Sequence, residues 1–204
     1  MKLEAKNISF KYPSAEKYIV KNIDLELDNK KIYGLIGDSG SGKSTFCKIL
    51  SGYITKYEGS VTLDGQPLPK KGFKPVQLIY QHPEKVMNPK WKMKQVLAES
   101  YDVSDETLSE FGIQKSWLTR FPQELSGGEL QRFSVVRSLN PNTKFLIADE
   151  MTTMLDAITQ AQILDSVLKI VKERKMGFLL VSHDMPLVET ICDEKIYFKD
   201  INGV

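Results

Sequence analysis

The first third of the chain contains stretches in which apolar and polar residues alternate. Apolar side chains recur at nearly every second position in residues 3–10 and again in residues 19–27. A shorter stretch, residues 61–63, ends in the turn pair Asp64-Gly65. A period of two is typical of strands with one buried face, and Asp-Gly is typical of tight turns. These stretches predict a small antiparallel sheet.

Later apolar segments are continuous and alternate with helical patterns. The predicted buried strands are residues 31–36, 74–80, 144–148, 178–181 and 195–198. Residues 158–172 carry apolar side chains at helical spacing, with Gly177 as the predicted stop, and residues 185–191 predict a shorter helix. Strands that alternate with helices predict a mostly parallel sheet that binds its ligand at the carboxyl ends of the strands.

The middle of the chain has a different pattern. It reads as short helices, with a start at Ser104 and a stop at Gly112. We therefore predict one domain over residues 1–204. Its nucleotide-binding core, with the antiparallel β subdomain, comprises residues 1–81 and 141–204, and an inserted helical subdomain comprises residues 82–140.

A glycine-rich segment between the strand at residues 31–36 and the next helix matches the phosphate-binding pattern G-x-x-x-x-G-K-[ST]. It reads Gly37, Asp38, Ser39, Gly40, Ser41, Gly42, Lys43, Ser44, Thr45. Glycines let successive backbone N–H groups point into one concavity, and the helix adds its positive end. Lys43 can reach the outer phosphates of a nucleotide, and the Ser44 hydroxyl can bind Mg²⁺. The segment predicts a nucleoside triphosphate site.

Two adjacent carboxylates, Asp149 and Glu150, end the strand at residues 144–148. An aspartate there can hold Mg²⁺ through water, opposite Ser44, and the following glutamate can orient or deprotonate an attacking water. The alternative is a solvated pair at the end of a strand. The phosphate loop upstream favours the catalytic interpretation.

A second Gly-rich segment, residues 125–132, reads Leu-Ser-Gly-Gly-Glu-Leu-Gln-Arg. Ser126, Gly127 and Gly128 precede a helix, where backbone N–H groups and a hydroxyl form an anion site. Such a site could serve the nucleotide of another molecule. An ordinary helix start is the alternative.

Composition and charge exclude several classes of protein. With 41% hydrophobic and 26% charged residues the chain is an ordinary globular protein, and its net charge of +2 gives no support for nucleic-acid binding. Two cysteines, Cys47 and Cys192, are too few for a disulfide framework, which favours a reducing compartment. Residues 1–12 lack the apolar core of a signal peptide, and no apolar run approaches the ~20 residues of a membrane span.

Together these segments resemble the ATP-binding cassette (ABC) ATPases. Residues 37–45 correspond to Walker A, residues 145–150 to Walker B, and residues 125–129 to the signature, in the family's order and spacing over essentially the whole chain. The resemblance implies an α/β fold: a P-loop NTPase (RecA-like) core with a mostly parallel sheet, a small antiparallel β subdomain and an inserted α-helical subdomain. It also implies ATP and Mg²⁺ as cofactors.

Four further positions match the family pattern. The resemblance implies that Tyr12 lies under the adenine ring and that Gln81 senses Mg²⁺ and the γ-phosphate. It also implies that His183 contacts the γ-phosphate and that Asp156 crosses a dimer interface. Each residue taken singly has a structural alternative, such as a helix cap for Asp156. The position after Glu150, commonly proline in the family, is Met151.

The family mechanism pairs two cassettes head to tail. ATP would lie between one Walker A loop, including Lys43, and the signature residues Ser126, Gly127, Gly128 and Glu129 of the other cassette. Hydrolysis would release the pair, and this cycle would drive a partner. Glu129, where glutamine is frequent, is a common variant that leaves the catalytic groups in place.

A finer resemblance points to the oligopeptide, dipeptide and nickel importers. It rests on residues 81–91 and on the run from Met154 to Leu164. It implies permease subunits, a solute-binding protein and a position at the cytoplasmic face of the membrane, with a homodimer or a heterodimer equally open. The C-terminal extension common in that group is expected to be missing. The alternative is a soluble, non-transport ABC ATPase in DNA repair, translation or iron–sulfur assembly.

The segment at residues 82–101 is where a transmembrane partner's docking helix would bind. Its side chains Met87, Trp91 and Met93 could equally belong to the core of the helical subdomain. The sequence leaves these two interpretations open.

Overall fold

The computed structural model describes residues 1–151 and 155–204. Its residues form two compact units. The first comprises Met1–Leu78, Lys144–Asp149 and Lys175–Val204, and the second comprises Ile79–Thr143 and Glu150–Arg174. The predicted subdomain boundaries at residues 82 and 140 stay a prediction.

A five-stranded sheet forms the centre of the first unit. Its strands are β3 (Ile32–Ile36), β6 (Val76–Ile79), β7 (Phe145–Asp149), β8 (Gly177–Val181) and β9 (Glu194–Tyr197), in the order β6-β7-β8-β3-β9. β8 pairs in parallel with both β3 and β7, and β9 pairs in parallel with β3. Every residue of β7 and β8 is buried, which explains why these strands read as continuous apolar runs. The predicted mostly parallel sheet is confirmed.

The antiparallel sheet of the first unit is also confirmed. It contains β1 (Lys2–Phe10), β2 (Val20–Asp28), β4 (Glu58–Leu63) and β5 (Gln66–Pro67), in the order β2-β1-β4-β5. The buried positions in β1 shift from Leu3 and Ala5 to Ile8 because the pairing register changes between Ala5 and Ile8. Asn7 has a φ of 52° at this irregularity, as expected for a β-bulge.

Three helices complete the first unit. They are α1 (Lys43–Leu50), α6 (Met185–Ile191) and α7 (Phe198–Ile201). The bounds of α6 are those predicted from the sequence. The predicted last strand at residues 195–198 is one residue out of place, because β9 ends at Tyr197 and Phe198 begins α7.

The second unit is helical. Its helices are α2 (Met93–Ala98), α3 (Asp105–Glu110), α4 (Gly127–Ser138) and α5 (Ala157–Glu173), with short 3-10 helices at Pro83–Lys85, Lys115–Thr119 and Pro122–Glu124. The predicted start and stop of α3 are confirmed. The Ser104 hydroxyl accepts a hydrogen bond from the N–H of Thr107, and Gly112 follows the helix with a φ of 62°.

The prediction that Gly177 stops α5 is wrong. The helix ends at Glu173, and Lys175, with a φ of 51°, makes the left-handed turn beyond it. Gly177 is the first residue of β8, where a Cβ atom would overlap the ring of Phe145 on the neighbouring strand. This glycine is therefore required for strand packing, for which the local pattern holds no signal.

We searched the helices in the described ranges, 1–151 and 155–204, for a membrane span. None of them has the length and apolar character needed to cross a bilayer.

We expect Gly177→Ala to lower the free energy of unfolding by about 3 kcal/mol, because the added methyl group must displace the ring of Phe145 in a close-packed core. Gly65→Ala is the matched control. Gly65 has a positive φ of 74°, which Gly177 does not share, and a Cβ atom on Gly65 meets nothing within 4 Å, so the cost there comes from the backbone angle alone and is about 1 kcal/mol. Urea denaturation measures both. A loss at Gly177 no larger than the loss at Gly65 would show that the ring of Phe145 moves aside at little cost.

Candidate functional site

The predicted phosphate loop joins β3 to α1, and its glycines adopt the conformations that such a loop needs. Gly40 and Gly42 have φ values of 78° and 110°, which other residues rarely adopt. Gly42 is the N-cap of α1 and provides no side chain to cap it. The first N–H groups of the helix therefore lack a side-chain acceptor and can bind an anion.

Lys43 lies inside this loop. Its side chain is buried, and its ammonium group donates hydrogen bonds to the carbonyls of Gly37, at 2.7 Å, and Asp38, at 2.8 Å. An ammonium group has three N–H donors, so one is left for a phosphate oxygen. The loop thus holds the lysine in place through its own backbone.

Ser41 supplies an independent sign of a ligand. Within the described parts of the chain, its Oγ is the only buried side-chain oxygen or nitrogen without a hydrogen-bond partner. Buried hydroxyl groups are nearly always paired, so an orphan calls for an explanation. A phosphate oxygen bound in the loop would provide the missing acceptor. The other predicted loop residues, Asp38, Ser39, Gly40 and Ser44, are exposed.

Phe198 packs against the phosphate loop, and the sequence alone did not predict this contact. Its side chain is fully buried, with its ring 6.0 Å from that of Phe46 in α1. A Cβ atom on Gly37 would lie 3.1 Å from Cβ of Phe198, and one on Gly42 would lie 3.4 Å from its ring. Phe198 therefore contacts both ends of the loop. Its position in a predicted strand gave no hint of this role.

Tyr12 also reaches this region. Its hydroxyl lies 3.2 Å from Oγ1 of Thr45, and its ring packs edge-on against Phe10 with the centroids 5.0 Å apart. The side chain of Tyr12 is 37% exposed. The sequence assigned Tyr12 and Thr45 to the site separately, and the structure joins them through their hydroxyl groups.

The register of the parallel sheet brings Asp149 and His183 to the level of the loop. Val181 of β8 pairs with Leu35 of β3 on one side and with Asp149 of β7 on the other. The loop begins two residues after Leu35, and His183 lies two residues after Val181. The loop, Asp149 and His183 therefore all lie at the carboxyl ends of neighbouring strands, where α/β sheets bind ligands.

α1 packs against β7, the strand that ends at Asp149. Burial raises the pKa of Cys47 well above its usual value, and the negative charge of Asp149 raises it further, while the positive charge of Lys43 acts in the opposite direction. These opposing effects agree with the packing of α1, which begins at Lys43, against the strand that ends at Asp149. Asp149 itself is buried, as expected for a carboxylate that binds a cation and unusual for one that is solvated.

Gln81 and Glu150 lie together in the second unit. Nε2 of Gln81 donates a hydrogen bond of 2.8 Å to Oε2 of Glu150. Glu150 has a φ of 48°, a left-handed conformation that costs about 1 kcal/mol for a residue other than glycine. Such strain is concentrated at functional sites. The sequence predicted both residues without placing them in contact.

The segment after Leu125 forms a complete capping box. Oγ of Ser126 accepts a hydrogen bond of 3.3 Å from the N–H of Glu129, whose carboxylate accepts one of 2.7 Å from the N–H of Ser126. The predicted helix start is confirmed. A Cβ atom on Gly127 would meet nothing within 4 Å, and one on Gly128 would lie 3.1 Å from Leu155. Gly127 therefore presents bare backbone to its surroundings.

Asp156 is the N-cap of α5. Its carboxylate accepts a hydrogen bond of 3.0 Å from the N–H of Thr159, and hydrogen bonding to Thr159 lowers the pKa of Asp156. The structural alternative for this residue is thus realised, and its role at a dimer interface stays a prediction. Met154, where the finer resemblance begins, lies outside the described residues.

The predicted docking segment, residues 82–101, contains both buried and exposed side chains. Met87 and Met93 are buried, so these two side chains belong to the core, while Trp91 is half-buried. The part of residues 82–101 that can meet a partner is therefore the set of exposed residues around Trp91.

Comparisons with known proteins agree with this geometry. The family model described as ABC transporter matches residues 20–153. The oligopeptide transport ATP-binding protein OppF of Streptococcus mutans is 31% identical, over 94% of this chain and 70% of that protein. OppD of Lactococcus lactis, of the same description, is 34% identical over 94% and 65%. The nickel import system ATP-binding protein NikE of Staphylococcus aureus is 30% identical over 97% and 87%. The chain thus spans about two thirds of both oligopeptide proteins.

Solved structures share the fold. A dimeric ATP-binding cassette in a post-hydrolysis state, bound to ADP and Pi, superimposes with a TM-score of 0.80 at 24% identity, over 96% of this chain and 93% of that one. The structure of an ATP-binding subunit of an ABC transporter gives 0.79 at 23% identity, over 97% and 85%.

We expect Phe198→Leu to weaken the binding of a fluorescent ATP analogue by about tenfold, because the loop between Gly37 and Gly42 loses its support. Phe133→Leu is the matched control, since Phe133 is also fully buried but lies in α4. Both changes should lower the free energy of unfolding by about 1 kcal/mol. Equal nucleotide affinities for the two variants would show that Phe198 is only a core residue.

Proposed function

We propose that this chain, which belongs to the ABC transporter family, is the ATP-hydrolysing subunit of a multi-subunit importer of peptides or of metal chelates such as nickel complexes. The observation that carries the ATPase assignment is the phosphate loop, with Lys43 buried inside it and Asp149 beside the helix that follows. The import assignment draws on the names of the oligopeptide and nickel relatives.

Nucleotide binding is assigned to groups of the first unit. The N–H groups of the loop and of the first turn of α1 would surround the phosphates, and Lys43 would donate its third hydrogen bond to an outer phosphate oxygen. Ser41 gains an acceptor in this arrangement. Tyr12 is held by Thr45 with part of its ring exposed, which suits stacking against an adenine ring.

The residues present also fit a magnesium ion. The hydroxyl of Ser44 and the carboxylate of Asp149 are oxygen ligands of the kind that Mg²⁺ prefers, and Gln81 is a further predicted ligand. Among the described residues, no group of three or more His, Cys, Asp and Glu side chains could hold a metal ion. Phosphate oxygens and water would therefore complete the coordination. Mg²⁺ bound there would neutralise the charge that develops on the phosphates during hydrolysis.

Hydrolysis is assigned to Glu150, assisted by Gln81 and His183. Glu150 would orient or deprotonate the attacking water, and the hydrogen bond from Gln81 fixes the direction of its carboxylate. His183, exposed after β8, would contact the γ-phosphate. Asp149 and Glu150 are neighbours in the chain but have different roles: the first is buried at the end of β7, and the second leaves the strand through a left-handed turn.

A second cassette would complete the site. Ser126 is exposed, and the backbone of Gly127 is unobstructed, so the start of α4 can approach the triphosphate bound by a partner cassette. Asp156 would lie at the same interface. The partner is either a second copy of this chain or a related ATPase.

Permease subunits and an extracytoplasmic solute-binding protein are the remaining proposed partners. They would hold the chain at the cytoplasmic face of the membrane, and the exposed residues around Trp91 would receive the permease. The named oligopeptide and nickel relatives favour this reading over a non-transport ATPase. Nucleic acid is not a proposed partner.

We expect Glu150→Gln to bind MgATP with an affinity close to that of the wild type and to hydrolyse it about 100-fold or more slowly, because the amide cannot accept a proton. The variant should accumulate as a dimer, measured by size-exclusion chromatography with ATP present. Lys43→Ala is the contrasting variant and should lose ATP binding itself. Turnover near the wild-type rate in Glu150→Gln would remove this residue from its role, and tight ATP binding by Lys43→Ala would contradict the phosphate-loop assignment.

The transport assignment is tested by purifying the tagged chain from detergent-treated membranes. We expect a hydrophobic permease to co-purify, and we expect the reconstituted complex to hydrolyse ATP faster when a solute-binding protein loaded with peptide or nickel chelate is added. Lys43→Ala should still co-purify but show no stimulated hydrolysis. ATPase activity that is stimulated by DNA or ribosomes, without a membrane partner, would support the non-transport alternative instead.

A further inference from the structure

The loop between β5 and β6, residues 68–75, concentrates positive charge that nothing nearby neutralises. Lys70 and Lys71 are exposed, and neither forms an ion pair with a residue in the described part of the chain. Lys74 is half-buried and also has no such ion pair, but its ammonium group donates a hydrogen bond to the carbonyl of Pro69. Between residues 59 and 83 the only acidic side chain is that of Asp64. Its carboxylate accepts a hydrogen bond from the backbone N–H of Lys2 in β1, the strand that pairs with β4.

Two exposed aromatic side chains accompany these lysines. Phe73, within the loop, is 39% exposed, and Tyr53, in the turn after α1, is 48% exposed. The turn and the loop are neighbours, because a Cβ atom on Gly52 would lie 3.5 Å from Leu68 and 3.6 Å from the ammonium group of Lys74. We call residues 68–75 together with Tyr53 the basic-aromatic patch.

The chemistry of the patch distinguishes among possible partners. All three cations are lysines, whereas protein interfaces are enriched in arginine and depleted in lysine. The patch also lacks the buried donors of a specific phosphate site, which this chain has in its phosphate loop. Long lysine side chains next to exposed aromatic rings are instead the arrangement that proteins present to the interface of a bilayer.

We propose that the basic-aromatic patch binds the headgroups of anionic phospholipids. The lysines would lie among the phosphates, and Phe73 would enter the boundary between headgroups and acyl chains. The inference adds a lipid contact to the proposed function, and it rests on that function for bringing the chain to a membrane. Each exposed lysine near an anionic surface strengthens binding by about fivefold, so Lys70 and Lys71 together contribute about 25-fold. Such binding is weak and salt-dependent, and it supplements attachment to a permease.

The test is co-sedimentation of the full chain with phosphatidylcholine vesicles that contain either no anionic lipid or about 30% phosphatidylglycerol. We expect binding to the anionic vesicles only. Lys70→Gln with Lys71→Gln should weaken it by at least about tenfold, and both side chains are exposed, so the fold should be unaffected. Phe73→Ser should weaken binding without any change in charge.

The matched control removes three charges elsewhere in the first unit. Lys144→Gln, Lys175→Gln and Lys199→Gln change three exposed lysines that also form no ion pair with a described residue. This triple variant should bind anionic vesicles within about threefold of the wild type, since its three lysines lie in three separate segments of the chain and not in one loop.

Three results would overturn the proposal: no binding to anionic vesicles, full binding by the Lys70→Gln, Lys71→Gln variant, or an equal loss in the control variant, which would indicate diffuse charge. Equally tight, Lys70-dependent binding to an acidic polypeptide would also contradict it by making lipid unnecessary. ATP hydrolysis is measured on the same preparations without vesicles. Lost hydrolysis with retained vesicle binding would count against the ATPase function alone, and the reverse result would count against the lipid contact alone.

Discussion

The buried ammonium group of Lys43 is the constraint on which the site depends. A cation removed from water costs several kcal/mol unless hydrogen bonds replace its hydration. Here the carbonyls of Gly37 and Asp38 replace part of it, which requires the backbone to curl around the side chain. This backbone conformation requires the positive φ of Gly42, and Phe198 packs against the loop. β3, α1 and α7 therefore all help to hold the ammonium group of Lys43 in place.

The two carboxylates that follow β7 show how one strand end serves two tasks. Asp149 is still in the ladder, paired with Val181, and its charge acts on the start of α1. One residue later the backbone takes a left-handed turn at Glu150, whose carboxylate accepts a hydrogen bond from the side-chain amide of Gln81. A regular strand would have sent these neighbouring side chains to opposite faces of the sheet. The strained turn instead gives the second carboxylate a partner of its own.

The distribution of charge separates two kinds of surface on the first unit. Around the phosphate loop Lys43 and Asp149 are buried, and the ammonium group of Lys43 is matched to backbone carbonyls, as chemistry at a fixed point requires. In the basic-aromatic patch Lys70 and Lys71 are exposed and form no ion pair with a described residue, which suits a diffuse negative surface. The net charge of +2 does not reveal this difference between the two surfaces, because it sums the charges of paired and unpaired residues over the whole chain.

The sequence by itself determined the class of the fold, the phosphate loop, the capping of α3 and α4, and the identity of the charged residues at the strand ends. These follow from local rules: hydrophobic period, glycine at special backbone angles, and side-chain caps. Only the tertiary structure decided that Gly177 is a packing glycine and not a helix stop, that Phe198 supports the loop, and that Gln81 reaches Glu150. Each of these depends on atoms far apart in the chain, such as Phe145 beside Gly177, and no local pattern encodes a contact between residues that meet only when the chain is folded.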